Sequence, residues 1–298
     1  VRYNTKNGRK RLMKLLEEDK LGGCPIDSVK LSDAKEWAIR MKEKEISYKT
    51  ISNDKRSLKA AFYTAIQDDC IRKNPFDFQL NTVIEDDTEP KVPLTPAQEE
   101  SFLSFAQNDK VYQKYYDELI ILLGTGLRIS ELCGLTDTDI NFENRIINVD
   151  HQLLRSAKTG YYIETPKTKS GIRQIPMSEK VYEAFNRVLK RRRDAKAVTI
   201  DGYSNFLFRN RDGYPKTATN YDGMFRGHAK KYNKYHEEAL PKVMTPHTLR
   251  HTFCTNMANA GMNPKALQYI MGHSNITMTL NYYAHATFDS AKAEMLRI

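Results

Sequence analysis

Residues 81–93 split the chain, and this break constrains the fold more than any other feature. Glu85, Asp86, Asp87 and Glu89 are followed by Pro90 and Pro93. Clustered carboxylates repel one another, and prolines lack a backbone donor, so such a segment reads as an exposed connection. Everything before it carries helical periodicity, whereas the part after it has strand character in its middle. With 298 residues, each side is long enough to bury its own core. The expected organisation is a helical domain over 1–83, a linker over 84–93 and a mixed α/β domain over 94–298.

In the first part, Leu12, Leu15 and Leu16 mark a helix stopped by Gly22 and Gly23. Ser32 is the expected cap of a second, with Ala34, Trp37, Ala38 and Met41 on one face. Ile51, Leu58, Phe62 and Ile66 recur at helical spacing in a third, which ends before Asn74 and Pro75. Lys49, Lys55, Arg56 and Lys59 line its outer face, as solvated charges or as phosphate contacts.

Thr95, Pro96 and Gln98 form a capping box that opens the second part. The run Leu119–Leu123 is apolar almost all round and marks a core helix, ended by Gly124 and Gly126. Arg128 follows at once, held between that helix and the next. It is either a fixed guanidinium or an arginine paired with Glu131 or a carbonyl. Arg145–Leu154, Tyr161–Thr165 and Ile172–Met177 are expected to be strands of one small antiparallel sheet, with Lys169 at the tip of a turn. Helices are expected over 179–196 and 218–235, the latter carrying Lys230 and Lys231, with a short strand at Phe206–Phe208. Near the C-terminus, Thr245 and Pro246 start a helix. Leu249, Phe253, Met257 and Ala260 form one stripe of it, and His247, Arg250, His251 and Cys254 fall on the other side. Asn263 caps the next helix, which runs to Gly272, and Ser274 caps the one after. Residues 289–298 read as a short helix too small to fold alone.

The formal net charge of +10 points to an anionic partner, nucleic acid first. Cys24, Cys70, Cys133 and Cys254 are scattered without a C-x-x-C pair, so neither a zinc site nor a disulfide framework is indicated. No apolar run approaches the ~20 residues of a membrane span, and no signal-peptide pattern is present. The chain begins at Val1 without Met, as a fragment would, which leaves the question of an upstream domain open.

The dispersed set Arg128, Lys169, His247, Arg250, His273 and a tyrosine at 282 or 283 resembles the tyrosine recombinases, the phage lambda integrase and Xer class. Thr-Gly-Leu-Arg-Ile-Ser-Glu-Leu at 125–132 is similar to the first arginine box of that family. His-Thr-Leu-Arg-His at 247–251 is similar to its H-x-x-R-H box. Met-Gly-His-Ser at 271–274 with Tyr-Tyr-Ala-His at 282–285 is similar to its G-H…Y box. The sequence looks closest to the integrases of conjugative transposons. The resemblance covers the whole second part, and the first part resembles the core-binding domain, including the Asn74-Pro75 exit.

The resemblance implies a two-domain C-shaped clamp on DNA, mainly α with a small antiparallel sheet. It implies site-specific recombination, the excision and integration of a mobile element, through a 3′-phosphotyrosine intermediate, with neither metal nor ATP. Arg128 and Arg250 would clamp the phosphate. His247 would act as general acid/base or donor, and His273 as a further donor. Lys169 would protonate the 5′ leaving oxygen, and the tyrosine would attack. Tyr282 has the family's nine-residue spacing from His273, whereas Tyr283 makes a Tyr-x-His pattern with His285. Tyr282 is preferred and Tyr283 is the alternative. Lys49, Lys55, Arg56, Lys59, Arg173, Lys230 and Lys231 are the expected DNA contacts. Partners would be duplex attachment sites, an excision factor, and further copies of the chain, a dimer on one site and a tetramer in synapsis, joined through residues 289–298. The location implied is the bacterial cytoplasm, on DNA.

Three rival readings remain. His247 and His251 are spaced as zinc ligands of a hydrolase, but Thr248 stands where its glutamate would be. A non-catalytic DNA-binding protein of this fold would not need the full residue set. A type IB topoisomerase shares the chemistry, but the chain is short for that class.

Overall fold

The structure is a computed structural model that describes residues 3–89, 92–166, 168–191, 198–283 and 295. The chain divides into two compact units, Val1–Pro90 and Lys91–Ile298.

The first unit holds α1 (Tyr3–Glu17), α2 (Leu31–Glu43) and α3 (Tyr48–Gln67), with 3₁₀ turns at Lys20–Gly23 and Leu80–Thr82. Trp37, Ile51, Leu58, Phe62 and Phe76 form its core, with Trp37 edge-on to Phe76 at 5.7 Å. Ala65 takes the buried position expected of Ile66. The helix exit at Asn74 has a local cause: its amide donates to the Lys59 carbonyl at 2.8 Å and its oxygen accepts from the Phe76 N–H at 3.0 Å. Two expectations are corrected here. The start of α2 lies at Leu31, where Asp33 accepts from the Lys30 N–H at 2.8 Å, so Asp33 caps this helix instead of Ser32. Ile84, placed at the start of the linker, is buried in the core beside Leu80.

In the second unit, α4 (Pro96–Asn108) begins with the reciprocal Thr95–Gln98 bonds, both 3.1 Å. The core helix α5 (Tyr116–Thr125) buries Leu119, Ile121 and Leu122 completely. Gly124 lies inside it, where an added Cβ would meet Val181 at 2.4 Å. Helix α6 (Ile129–Gly134) leads into β1 (Ile140–Asn141), β2 (Ile146–Val149), β3 (Gln152–Ser156), β4 (Gly160–Glu164) and β5 (Arg173–Pro176).

These strands make two antiparallel sheets instead of one. The first has the order β1-β2-β5, with Ile147 opposite Ile175, and the second is the β3-β4 hairpin, with Leu153 opposite Ile163. The segment expected as one strand from Arg145 to Leu154 breaks at Asp150–His151. There the buried imidazole bonds to the Asp150 carboxylate at 2.5 Å and the Gly134 carbonyl at 2.8 Å. Phe206 makes a single bridge to Thr136 rather than a strand over 206–208.

The remaining helices are α7 (Glu179–Lys190), α8 (Ala218–Tyr235), α9 (Pro246–Asn259), α10 (Pro264–Met271) and α11 (Thr277–Leu280). The stretch 192–196 expected to extend α7 lies outside the described residues. Asn263 caps α10 as expected. Before α11 it is Asn275, instead of Ser274, whose side chain accepts from the Thr277 N–H. The two-sided reading of α9 is also corrected. Leu249 and Phe253 are buried, but so are Arg250, Cys254 and Ala258, while Ala260 is exposed. The helix runs through the core, so its polar groups are enclosed and need partners inside the protein. Among the described residues no helix is long and apolar enough to cross a membrane.

Candidate active site

The site assembles where α5, α6, α9 and α10 meet the turn before β5. Gly126 ends α5 in the left-handed conformation, φ 63°, and a Cβ there would lie 2.5 Å from the Phe253 ring. Glycine therefore lets α9 close on the end of α5. Its carbonyl accepts from Arg250 Nη1, and the Met271 carbonyl accepts from Arg250 Nη2. Both acceptors are helix-end carbonyls without a helical partner, so one guanidinium satisfies two helix termini.

Arg128 sits just before α6. Its N–H and its Nη1 donate to Glu131 at 2.8 and 2.7 Å, and its Nη2 donates to the Gly272 carbonyl at 3.1 Å. The pairing with Glu131 or a carbonyl weighed from the sequence is present in both forms. The side chain is nevertheless 38% exposed, so it is held from behind with one edge open.

Gly272, φ 61°, ends α10, and a Cβ on it would lie 3.0 Å from the Ser170 carbonyl. The 3₁₀ turn Lys169–Gly171 is thereby packed against the end of α10. Lys169 itself is exposed. His273 is buried, with Nδ1 2.9 Å from the Thr279 hydroxyl. His247 is exposed at the start of α9. Thr248, at the position of a zinc hydrolase's glutamate, serves the helix cap by accepting from the Thr245 N–H at 3.1 Å.

The two tyrosines differ. Tyr282 lies against the His251 ring at 4.8 Å and within the field of Arg250. Tyr283 donates its hydroxyl to the Met262 carbonyl at 2.5 Å. Burial raises the pKa of both phenols.

Charge is concentrated here. Arg128, Arg173 and Arg250 surround one carboxylate, Glu131. Burial, then repulsion from Arg128, lowers Arg250 to about 9. Burial and the three arginines lower His273 to about 4. Burial raises Glu131, but the hydrogen bonds and charge of Arg173, with the charge of Arg128, hold it down at about 2. A cluster with this cationic surplus is relieved by an anion, and a phosphodiester supplies one.

The histidines set an acid limit. His228 is buried among Phe102, Phe105 and Tyr112, and burial lowers it to about 4. For His228 and His273 the folded value lies below the ordinary 6.5. Their contribution is therefore fully present above pH 6.5 and is lost as pH falls through 4, about 3 kcal/mol for each. Glu131 adds a loss from 4.5 towards 2. The thermal midpoint should fall steeply between pH 6.5 and 4, and less so in a His228→Leu variant. A flat midpoint over that interval would contradict the assignment.

Of the expected DNA contacts, Lys49, Arg56 and Lys230 are exposed. Lys55 lies over the Phe78 ring at 4.4 Å, Lys59 pairs with Asp77 and Lys231 with Asp109, both at 2.5 Å. Arg173 is a correction: its side chain has no exposure and is enclosed by Glu131 and backbone carbonyls, out of reach of a DNA surface. Glu131 was weighed only as a partner of Arg128, not as the acceptor of Arg173 as well, and Thr279 was not singled out. The Arg-x-x-Glu spacing at 128–131, a capping-box interval, was the available signal for the first.

A profile described as the phage integrase family matches residues 93–290. The chain belongs to that family. The transposase from transposon Tn916 of Enterococcus faecalis is 68% identical over 298 residues, 100% of this chain and 73% of the relative. Tyrosine recombinase XerA of Pyrococcus horikoshii is 31% identical over 219 residues, 70% of this chain and 65% of the relative. The solved Tn1549 transposon integrase in complex with a circular intermediate DNA is 75% identical with a TM-score of 0.96, covering 100% of this chain and 95% of that one. A lambda integrase dimer on a core site, 16% identical at TM-score 0.62, shares the fold. As a phage-integrase family member this chain is a tyrosine recombinase, similar to the integrases of conjugative transposons.

Proposed function

We propose that this integrase excises and integrates a mobile element by cutting and rejoining DNA at attachment sites, with Tyr282 as nucleophile. The observation that carries the reading is the arginine cluster, with Arg250 and His273 buried and Arg128 open along one edge, beside a tyrosine. The Tyr282 oxygen attacks the scissile phosphorus as its hydroxyl proton passes to His247, the general base. A bond from phosphorus to the tyrosine oxygen forms, the bond to the 5′ oxygen breaks, and that oxygen leaves with a proton. Lys169, exposed on its turn, supplies the proton. Arg128 and Arg250 balance the charge growing on the non-bridging oxygens, and His247 and His273 donate to them. With the Thr279 hydroxyl donating to Nδ1, His273 presents an N–H at Nε2. The 5′ hydroxyl of a second end then reverses the step and joins new partners.

Two findings favour Tyr282 over Tyr283. The Tyr283 hydroxyl is occupied by the Met262 carbonyl. Solved forms of the Tn1549 integrase carry an arginine-to-lysine and a tyrosine-to-phenylalanine replacement 154 positions apart (379 − 225). That is the separation of Arg128 and Tyr282 (282 − 128), one short of the distance to Tyr283. Assembly as dimer and tetramer and use of an excision factor belong to the same reading. The segment proposed to join copies, 289–298, lies outside the described residues except Met295, which is exposed.

The test is covalent trapping on a nicked duplex bearing the attachment site, without added metal, read on a denaturing gel. A tight complex that never yields an adduct would favour a non-catalytic binding protein. Joining of two duplexes, rather than relaxation alone, separates recombination from topoisomerase action. The affinity should fall by about 10³–10⁵ between 50 and 200 mM salt if six to ten phosphates are contacted. A flat salt response would sink the proposed backbone contacts.

A further inference from the structure

We propose that Arg173 is a positioning residue for the cleavage step, holding Arg128 through Glu131 and the Lys169 turn through the Gly171 carbonyl. The assignment rests on the recombinase reading above and adds to it a residue that touches no DNA.

A guanidinium with no side-chain exposure is costly, and a buried ion pair alone is weak reason to keep one. Arg173 does more than pair. Nη2 and Nη1 reach the two Glu131 oxygens at 2.9 and 3.1 Å, Nη1 also reaches the Gly171 carbonyl at 3.0 Å, and Nε reaches the Ile270 carbonyl at 2.6 Å. These acceptors lie on three separate elements: α6, the 169–171 turn and α10. Each element carries a group of the reaction. Glu131 also binds Arg128, Lys169 opens the turn that Gly171 closes, and His273 follows the end of α10.

The packing leaves little slack. A Cβ on Gly272 would lie 3.1 Å from Arg173 Nη1 and 3.0 Å from the Ser170 carbonyl. A planar fork can serve three directions at once, and a lysine ammonium on a flexible stem cannot. Misplacing a reacting group by ~1 Å costs about 10² in rate, so the loss of this tie should appear in catalysis before it appears in binding.

The test compares the wild type with Arg173→Lys on the nicked duplex, with either oxygen or sulfur at the bridging 5′ position. A thiolate leaves without a proton, so sulfur repairs a displaced Lys169 but not a displaced Arg128. Expected for Arg173→Lys are a cooperative melt, a duplex Kd within about threefold of wild type and an adduct rate about 10² lower on oxygen. Relative to wild type, the sulfur substrate should recover about tenfold of that loss. The assignment fails if the adduct rate is unchanged, if Kd weakens in proportion to the rate as for a DNA contact, or if sulfur gives no more recovery than in wild type. Should Arg173→Lys not fold, Arg173→Gln carries the same readouts, since it keeps an amide donor and leaves the Glu131–Arg128 pairing in place. A wild type that binds the duplex and forms no adduct overturns the cleavage reading and this assignment together. A reactive wild type with equally reactive variants overturns the Arg173 assignment alone.

Discussion

Tyr282→Phe is expected to abolish the covalent adduct, lowering its rate on the order of 10⁴–10⁶, while Tyr283→Phe still forms it. The two residues are adjacent, so their side chains point ~100° apart and only one can meet the phosphate. Tyr282 lies in the field of Arg250, which favours its phenolate against the burial that raises it. Tyr283 is bonded to the Met262 carbonyl in the connection from α9 to α10. Its loss should cost about 0.5–1.5 kcal/mol of stability and lower the melting midpoint, with the adduct retained. Denaturing gels of both variants, with parallel melts, read the two effects separately. An adduct lost in Tyr283→Phe and kept in Tyr282→Phe would reverse the assignment.

Arg250→Met should lower adduct formation by about 10²–10³ and raise Kd for the duplex less than tenfold. The asymmetry follows from burial. At 4% exposure the guanidinium adds little to a surface that tracks many phosphates, but it is among the charges closest to the reacting one. Stability should change less than catalysis. Two carbonyls lose a donor, at about 1–3 kcal/mol each. Against this, the variant removes a charge that burial and Arg128 already disfavour. A loss of binding as large as the loss of cleavage would show that Arg250 serves the ground state equally.

These expectations depend on how far each part of the molecule was legible before it was folded. The Thr95–Gln98 box, the cap at Asn263, the exit at Asn74 and the apolar period of α3 are local. Their hydrogen bonds join residues a few positions apart, and periodicity is a property of one helix. Arg128, His247, Arg250, His273 and Tyr282 are proposed for another reason: they stand in short boxes that resemble those of the family, and anion chemistry explains why such residue types would be there.

Tertiary structure decided the rest. Arg173 read as one more surface cation until its partner proved to be Glu131, 42 residues away. Arg250 and Cys254 read as a polar face of α9, yet α9 is enclosed, and the carbonyl that satisfies Arg250 lies 124 residues back. The strand expected from Arg145 to Leu154 was broken by the docking of His151 on Gly134, 17 residues away. The proposal of Tyr282 over Tyr283 likewise draws on a tertiary contact, the Met262 carbonyl that accepts the Tyr283 hydroxyl. The sequence by itself determined which local elements form and which chemistry the boxes serve, because both depend on near neighbours. Which cations face solvent and which hold the site together was decided only by packing, because burial is set by residues distant in the chain.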